Sequence, residues 1–207
     1  MGKAVFITGT DTDVGKTWVT VRLLGILRSR GINAVGFKPI ECGSHEDSHA
    51  LLGASAEAGV TLEEVNPIHL DEPVAPAAVT VAIDIRFASL KESLDRLREK
   101  SDIVLIEGAG GWLVPVNEAQ TVADLAVHLD LPVVVVAANR LGCLNHSLLT
   151  ARAVLSTELE CLGVYLNRFG EEDLSQQTNA RLLTKWLEEI PLIDQDLESL
   201  ADLIVAS

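Results

Sequence analysis

The sequence has no apolar run long enough to cross a membrane, few aromatic residues and little positive charge. Its longest apolar stretch, Val133–Ala138, is far shorter than the roughly 20 residues that a membrane helix needs. Aromatic residues make up 4% of the 207 positions, and 30 acidic residues outnumber 16 basic ones, giving a formal net charge of −14. Because a surface of this sign repels polyphosphate and anionic lipid, we expect neither nucleic acid nor a membrane as a partner.

Cysteine is scarce as well, with only Cys42, Cys143 and Cys161 in the chain. An odd number of widely spaced cysteines predicts neither a disulfide framework nor a zinc site. The first residues carry one lysine and a short apolar run before polar residues, so no signal peptide is expected. With an apolar fraction of 48%, the composition predicts a single globular domain over residues 1–207 that works in the cytoplasm.

Short apolar runs alternate with segments of helical periodicity. The runs of buried-strand length are Ala4–Thr8, Ala34–Lys38, Ile103–Glu107, Val133–Ala138 and Leu162–Asn167. The helical segments are Thr17–Arg30, Leu90–Lys100, Asn145–Glu158 and Leu174–Glu188. This alternation predicts an α/β fold with a doubly wound, mostly parallel sheet and helices on both faces. Ligands bind such sheets beyond the carboxyl ends of the strands, so the residues there are the candidate site.

The first apolar run leads into the segment Gly9-Thr-Asp-Thr-Asp-Val-Gly-Lys-Thr17, where a helical pattern begins at once. A strand, a loop and a helix that starts with Gly-Lys-Thr predict the phosphate-binding loop of a P-loop NTPase. Lys16 would reach the outer phosphates, and the Thr17 hydroxyl would face Mg²⁺. The usual spacing has a glycine at position 10, whereas this chain has Thr10 and a glycine one residue earlier. A strand-to-helix turn with a chance Gly-Lys-Thr is the less favoured interpretation.

Polar residues also follow the later apolar runs. Lys38 offers a fixed positive charge to a transferred phosphoryl group, although an exposed strand-end lysine is an equally weighted alternative. Glu107, followed by glycines, fits the acid that holds Mg²⁺ opposite a phosphate loop, with a plain buried strand as the alternative. Asn145 is expected as a helix N-cap, and the Asn167 amide suits the edge of a nucleotide base.

Taken together, these motifs resemble the dethiobiotin synthetases, ATP-dependent ligases that close the ureido ring of the biotin precursor. The resemblance extends from Phe6 to about Leu192. It rests on the Gly9–Thr17 loop, Lys38-Pro-Ile, Glu107-Gly-Ala-Gly-Gly-Trp112, Leu141-Gly-Cys-Leu-Asn-His146 and Ile190-Pro191, in the family's order. The shifted glycine is the family's own form of the loop. The resemblance implies an enzyme that uses ATP and Mg²⁺ to join 7,8-diaminopelargonate and CO₂, through a carbamate and a carbamic–phosphoric anhydride, into dethiobiotin, ADP and phosphate.

The resemblance also implies roles for individual residues. Lys38, Lys16 and Thr12 are expected at the reacting carbamate and phosphoryl oxygens. Nucleotide contacts are expected from Asp13, Val14, Gly15, Lys16, Thr17, Trp18, Asp47, Glu107, Gly108, Ala109, Gly110, Asn167, Arg168, Pro191, Leu192, Ile193 and Glu198. The diamine is expected at Cys42 and, across a subunit interface, at Gly142, Cys143, Leu144 and Asn145, which implies a homodimer. Mg²⁺ is expected on Thr17, Asp47 and Glu107.

The chain departs from the family's pattern at three positions. Cys42 stands where a hydroxyl residue is expected, and a thiol is a weaker hydrogen-bond donor. The second acidic metal ligand is Asp47 or His49, and Asp47 is preferred because Mg²⁺ takes hard oxygen ligands. Glu188 replaces a glycine before the late Glu-Ile-Pro, which bears on the pocket for the nucleotide base.

The main alternative function within this fold is a nucleotide-switched ATPase of the partitioning type. Such proteins carry a second lysine at the start of the loop, five residues before the lysine of Gly-Lys-Thr, where this chain has Asp11. An amidotransferase-type cobyrinate synthetase is a third interpretation, which the absence of length for a glutaminase domain disfavours. We therefore expect the ligase.

Overall fold

The computed structural model describes residues 1–79, 85–170 and 173–207 and contains a six-stranded parallel sheet. The strands are β1 (Lys3–Gly9), β2 (Ala34–Phe37), β3 (Ile40–Cys42), β4 (Ile68–Leu70), β5 (Ile103–Gly111), β6 (Val133–Ala138), β7 (Cys161–Asn167) and β8 (Leu192–Asp194). The main sheet has the order β2-β5-β1-β6-β7-β8, and all of its neighbouring strands pair in parallel. Strands β3 and β4 form a separate parallel ribbon.

The main sheet is covered on both faces. Successive residues of a strand point to opposite faces, and all residues of Val133–Ala138 are buried. The helices are α1 (Lys16–Ser29), α2 (Glu46–Ala54), α3 (Leu62–Val65), α4 (Phe87–Lys100), α5 (Val122–Leu129), α6 (Cys143–Leu155), α7 (Leu174–Trp186) and α8 (Leu197–Ala206). The doubly wound, mostly parallel α/β fold is therefore confirmed. In the part of the chain that the structure describes, no helix has the length and apolar character required to span a membrane.

Some elements differ from the sequence prediction. Helix α6 begins at Cys143, and its N-cap residue is Gly142, which has a φ of 93°. The prediction of Asn145 as the N-cap is therefore wrong, because the chain enters this helix through a left-handed turn that favours glycine. The sequence pattern does not predict strands β3, β4 and β8, because three residues are too few to form a recognisable apolar run.

The register of the main sheet brings the candidate residues to one edge. Strand β1 pairs Ile7 with Glu107 of β5, and β2 pairs Phe37 with Ile106 of the same strand. Lys38, which follows Phe37, therefore emerges beside Glu107, next to the strand that leads into the phosphate loop. This is the carboxyl edge at which doubly wound sheets bind their ligands.

Candidate active site

The loop between β1 and α1 shows why the glycine stands at position 9 instead of position 10. A Cβ atom on Gly9 would lie 2.8 Å from Val14 Cγ2 and 2.9 Å from the Asp11 carbonyl oxygen, too close for any side chain. Thr10 still extends the sheet, since its N–H donates to the Val136 carbonyl at 2.9 Å. Glycine is thus required where the loop folds against itself, at residue 9.

The same loop ends in a glycine and a buried lysine. Gly15 has a φ of 88°, and a Cβ atom there would lie 2.2 Å from the Asn167 side-chain nitrogen, so both conformation and space require glycine. Lys16 is buried, and its Nζ donates to the Asp11 carbonyl at 3.0 Å. Burial, reinforced by the charge of nearby Lys38, lowers the pKa of Lys16 to about 8. The helix N-terminus and this ammonium group give the loop a positive potential suited to phosphate.

Four side chains next to the loop form one polar network. Lys38 Nζ donates to Asp47 Oδ2 and to Glu107 Oε1, both at 2.6 Å. The Thr17 hydroxyl lies 2.7 Å from Asp47 Oδ1 and 2.8 Å from Glu107 Oε1. Lys38 is 3% exposed and Glu107 is 0% exposed, so the ion pair between them lies out of contact with water. The strand-end lysine is therefore a buried member of the site.

The charges of this network control its protonation. Burial acts to lower the pKa of Lys38, but the carboxylates of Glu107 and Asp47 outweigh it and raise that pKa above its ordinary value. Burial likewise acts to raise the pKa of Asp47, and the Lys38 ammonium outweighs it and lowers that pKa. Lys38 is thus held as a cation and Asp47 as an anion around neutral pH.

The oxygen atoms of the network fit a divalent cation. Thr17, Asp47 and Glu107 offer one hydroxyl and two carboxylates, the hard donors that Mg²⁺ prefers. Glu107 Oε2 is buried and accepts no hydrogen bond from the residues that the structure describes. A buried carboxylate oxygen without a donor is costly, so it is available to a metal ion.

A cavity of about 550 Å³ adjoins the network. Its walls include most of the residues expected at the reacting end, namely Thr12, Asp13, Gly15, Lys16, Thr17, Lys38, Cys42, Asp47, Glu107, Ala109 and Gly110. The sequence patterns assign no role to the remaining wall residues, Glu41, Pro73, Val74, Ala75, Pro76 and Val114. Glu41 could have been noticed as an acid at a strand end, whereas nothing in the sequence indicates that the segment 73–76 folds over the site. Burial raises the pKa of the Cys42 thiol in this wall.

Among the residues expected at the phosphate end of the nucleotide, three do not line this cavity. Val14 is buried in the core. Trp18 is 46% exposed, and the guanidinium carbon of Arg22 lies 5.2 Å from the centre of its ring. Gly108 is in close contact with the core, since a Cβ atom there would lie 3.1 Å from Phe6 Cε1. Val14 and Gly108 can therefore contact a nucleotide only through their backbone atoms.

The residues expected at the nucleotide base lie at the end of β7. The buried Asn167 donates from Nδ2 to the Val14 carbonyl at 3.1 Å, which ties strand β7 to the phosphate loop. Arg168 donates to Asp194 Oδ2 at 2.9 Å and so joins β7 to β8. These contacts place the Asn167 amide beside the phosphate loop.

The last residues expected at the base belong to the edge strand β8 and helix α8. The Pro191 carbonyl accepts a hydrogen bond from the Val164 N–H at 2.9 Å, and Leu192 and Ile193 continue the pairing of β8 with β7. The Ile193 side chain is buried, and Leu192 is half-buried. Glu198 forms an ion pair on the surface with Arg30, the residue that follows α1. Its carboxylate is therefore engaged outside the cavity.

The segment expected at the diamine carboxylate forms the start of α6. Gly142 opens the helix, Cys143 is buried, Leu144 is half-buried and Asn145 is exposed. None of these four residues lines the cavity beside Lys38. Leu141 just before them is 85% exposed. Within one chain, this segment and the cavity are thus separate surfaces.

A parallel sheet with a phosphate loop after its central strand, and a lysine and two carboxylates at the same edge, defines a P-loop nucleotide-binding protein. A family model described as an AAA domain matches residues 3–197. ATP-dependent dethiobiotin synthetase BioD of Akkermansia muciniphila is 37% identical over 192 residues, which cover 91% of this chain and 89% of that protein. The enzyme of the same name from Vibrio parahaemolyticus is 39% identical and covers 92% of this chain and 90% of its own length. The chain belongs to the family of ATP-dependent dethiobiotin synthetases.

Solved structures agree with the fold. The septum site-determining protein MinD from Pyrococcus horikoshii, complexed with Mg-ADP, has a TM-score of 0.55 at 18% identity, covering 100% of this chain and 86% of that one. Cobyrinic acid a,c-diamide synthase from Mycobacterium smegmatis, with bound ADP and magnesium, has a TM-score of 0.57 at 14% identity, covering 99% and 91%. At these identities the likeness shows a shared P-loop fold and nothing finer.

Proposed function

We propose that this protein catalyses the ATP-dependent carboxylation and ring closure of 7,8-diaminopelargonate with CO₂ to dethiobiotin, ADP and phosphate, as a single ligase domain over residues 1–207. The observation that carries the proposal is the buried network of Lys38, Asp47, Glu107 and Thr17 beside the phosphate loop. Membership of the dethiobiotin synthetase family supports the choice of substrates.

The proposed reaction has three bond-forming steps. One amine of the diamine attacks CO₂ and loses a proton, giving a carbamate. A carbamate oxygen then attacks the γ-phosphorus of ATP, and the bond from that phosphorus to the ADP oxygen breaks. The second amine attacks the carbonyl carbon of the mixed anhydride and loses a proton, and phosphate leaves as the ring closes.

The chain's own part in this chemistry is positioning and charge neutralisation. Lys16 and Lys38 supply two ammonium groups at the edge of the cavity, where negative charge spreads over the phosphoryl oxygens during transfer. Thr12 lies on the same wall and offers a hydroxyl to carbamate or phosphoryl oxygens. We propose that Thr17, Asp47 and Glu107 hold Mg²⁺, which when bound adds positive charge at the phosphates.

The apolar part of the cavity lining suits an aliphatic diamine. Pro73, Val74, Pro76 and Val114 add apolar surface to a cavity that the charged network also lines. Cys42 is a further lining residue and offers a weak S–H donor to the substrate. An elongated ligand with a polar reacting end and a hydrocarbon chain is complementary to such walls.

We further propose a homodimer in which the start of α6, Gly142–Asn145, binds the substrate carboxylate of the other copy. Leu113 and Leu149 are 65% and 60% exposed, and Leu141, just before this segment, is 85% exposed. Leu113 and Leu149 line a second cavity of about 390 Å³ together with Thr12 of the phosphate loop. An interface there would join the two separate surfaces of the site.

Because ATP is a substrate, we place the enzyme in the cytoplasm.

A nucleotide-switched ATPase is less well supported. At the position of the second lysine, this chain has Asp11, whose carboxylate lies 3.4 Å from Arg140. The loop therefore presents an acid that is paired with its own chain where the partitioning ATPases present a cation.

Phosphate release measured with and without the two co-substrates tests the proposal. We expect ATP hydrolysis to require both 7,8-diaminopelargonate and bicarbonate, and to yield one dethiobiotin for each phosphate, detected by mass spectrometry. Hydrolysis that is indifferent to both co-substrates would contradict the ligase and favour the switch.

The oligomeric state is tested separately by sedimentation, with Leu149→Glu expected to weaken the dimer.

A further inference from the structure

A second polar cluster lies on the β3–β4 ribbon and the start of α2. Glu41 of β3 and His69 of β4 are paired directly in the parallel register of the two strands. His45 precedes α2, and its ring stacks on that of His69 with the ring centres 3.4 Å apart. One oxygen or nitrogen atom from each of the three residues lies within 4.8 Å of the others. Glu41 also lines the active-site cavity, so the cluster stands behind one of its walls.

Glu41 has one carboxylate oxygen that is used and one that is not. Its Oε1 accepts the N–H groups of Asp47 at 2.9 Å and of Ser48 at 3.2 Å, which satisfies the start of α2. Its Oε2 is buried and accepts no hydrogen bond within residues 1–79, 85–170 and 173–207, and the whole residue is 3% exposed. The nearest cationic candidate is His45 Nδ1, at 3.9 Å. Burying a carboxylate oxygen without a hydrogen-bond donor is costly, so Glu41 Oε2 is available to a donor or a cation.

His69 presents the same kind of unused atom. Its Nδ1 is buried and has no hydrogen-bond partner in the part of the chain that the structure describes. Its other ring nitrogen, Nε2, lies 3.7 Å from Asp71 Oδ1.

We propose that Glu41, His45 and His69 bind a divalent transition-metal ion of the Zn²⁺ or Co²⁺ type. Two imidazoles and one carboxylate form a donor set for such ions, with a fourth position left to water. Mg²⁺ is not the expected occupant, because it prefers oxygen donors in an octahedral arrangement.

The cluster needs one adjustment to bind an ion. Bonds of about 2.1 Å in a tetrahedral site put donor atoms about 3.4 Å apart, closer than the 4.8 Å within which these atoms lie. The His45 side chain is 40% exposed, so rotation of its ring off His69 brings its nitrogen towards Glu41 Oε2 without displacing the core. Glu41 Oε1 remains on the Asp47 N–H, so a bound ion would hold the start of the helix that carries Asp47.

A titration of the full chain with Co²⁺, in excess Mg²⁺ and without nucleotide, tests this site independently of the proposed function. The excess Mg²⁺ serves to occupy the all-oxygen site proposed at Asp47. We expect one Co²⁺ per chain, with the strong visible absorption of a four-coordinate nitrogen-containing site, displaced by Zn²⁺. We also expect Zn²⁺ to raise the midpoint of thermal unfolding.

Two variants and a control assign the ligands. Glu41→Gln keeps an oxygen for the start of α2 while removing the charge, and His45→Ala alters a half-exposed side chain, so both should fold. Each is expected to weaken Co²⁺ binding by at least about tenfold, whereas His128→Ala, which changes an exposed histidine of α5, should leave it unchanged. Weak visible absorption typical of six oxygen ligands would overturn the proposal. So would Co²⁺ affinities in Glu41→Gln and His45→Ala that equal the wild-type affinity, or a loss of Co²⁺ affinity in His128→Ala as large as in these two variants.

Discussion

The reacting end and the base end of the candidate site are built in different ways. At the reacting end, Lys38, Glu107 and Lys16 are buried, and burial together with neighbouring charges shifts the pKa values of the two lysines. At the base end, the ion pairs Arg168–Asp194 and Arg30–Glu198 lie near the surface, and the amide of Asn167 is a buried polar group without charge. The proposed chemistry therefore lies at the carboxyl edge of β1, β2 and β5, whereas the proposed base end lies around β7 and β8 and on the last helix.

This difference predicts where substitutions have their effects. Charges in a buried network interact strongly and cannot be replaced by water, so removing one should change both the reaction and the stability of the fold. Exposed ion pairs contribute about 0–1 kcal/mol each and are screened by salt. Variants at the reacting end should thus have large effects, and variants at the surface of the base end small ones.

Replacing Lys38 should have the largest effect. Lys38→Ala removes a charge from the position of the transferred phosphoryl group, so we expect kcat to fall at least about 100-fold while ATP affinity changes little. It also leaves Glu107 and Asp47 without their ammonium partner, which should lower the free energy of unfolding by about 3–5 kcal/mol. Steady-state kinetics, ATP titration and chemical denaturation measure the three quantities.

A surface lysine provides the matched control. Lys91→Ala, on the exposed face of α4, should leave all three quantities unchanged apart from the loss of a weak contact with Asp95. If ATP affinity instead collapsed in Lys38→Ala, this residue would be a nucleotide ligand and not mainly a transition-state group.

Asp47→Asn should affect the requirement for Mg²⁺. The side chain keeps its size and its bond to Thr17 but loses the charge that a cation needs, so we expect half-maximal activity at about tenfold higher Mg²⁺. A Mg²⁺ titration of ATP turnover with both co-substrates present measures the shift. Glu46→Gln, one residue earlier and exposed, is the control. An unchanged Mg²⁺ optimum in Asp47→Asn would remove Asp47 from the proposed ligands.

The buried Lys16 should make ATP binding depend on pH. With its pKa lowered to about 8, Lys16 loses its proton as the pH rises through that value, and only the ammonium form attracts phosphate. ATP affinity should therefore fall by up to about tenfold between roughly pH 7 and pH 9, measured by calorimetry at constant Mg²⁺. Lys16→Arg keeps its charge over this range, so its affinity should be lower overall but flat with pH. A wild-type affinity that is equally flat would contradict this assignment.

The central strands could be predicted from sequence because burial on both faces produces continuous apolar runs. The motifs after β1, β2 and β5 then located Lys16, Lys38 and Glu107, which the parallel register brings to one edge. That Lys38 is buried in an ion pair with Glu107 could not be predicted, since residues 38 and 107 meet only through the pairing of β2 with β5.

The less predictable parts are those that local patterns do not govern. Strand β8 has three residues, and its place depends on pairing with β7. The wall formed by Pro73–Pro76 is a loop whose path depends on tertiary contacts. Glu41 stands out in the sequence only as an acid at a strand end, since its role depends on the N–H groups at the start of α2 and on His69 of the neighbouring strand. Each of these features comes from contacts between segments distant in sequence.

Glu198→Ala should have the smallest effect and tests the base end directly. The Glu198 carboxylate pairs with Arg30, which keeps a second partner in Asp202 at 2.8 Å, so its loss should have little effect on stability. We expect ATP affinity to stay within about twofold of the wild type, whereas Asn167→Ala, which removes a buried amide bonded to the Val14 carbonyl, should weaken it more. Fluorescence titration of both variants with ATP compares them. If Glu198→Ala weakened ATP binding as much as Asn167→Ala, then its carboxylate would leave Arg30 to bind the ribose, and the base end would be built on charge as the reacting end is.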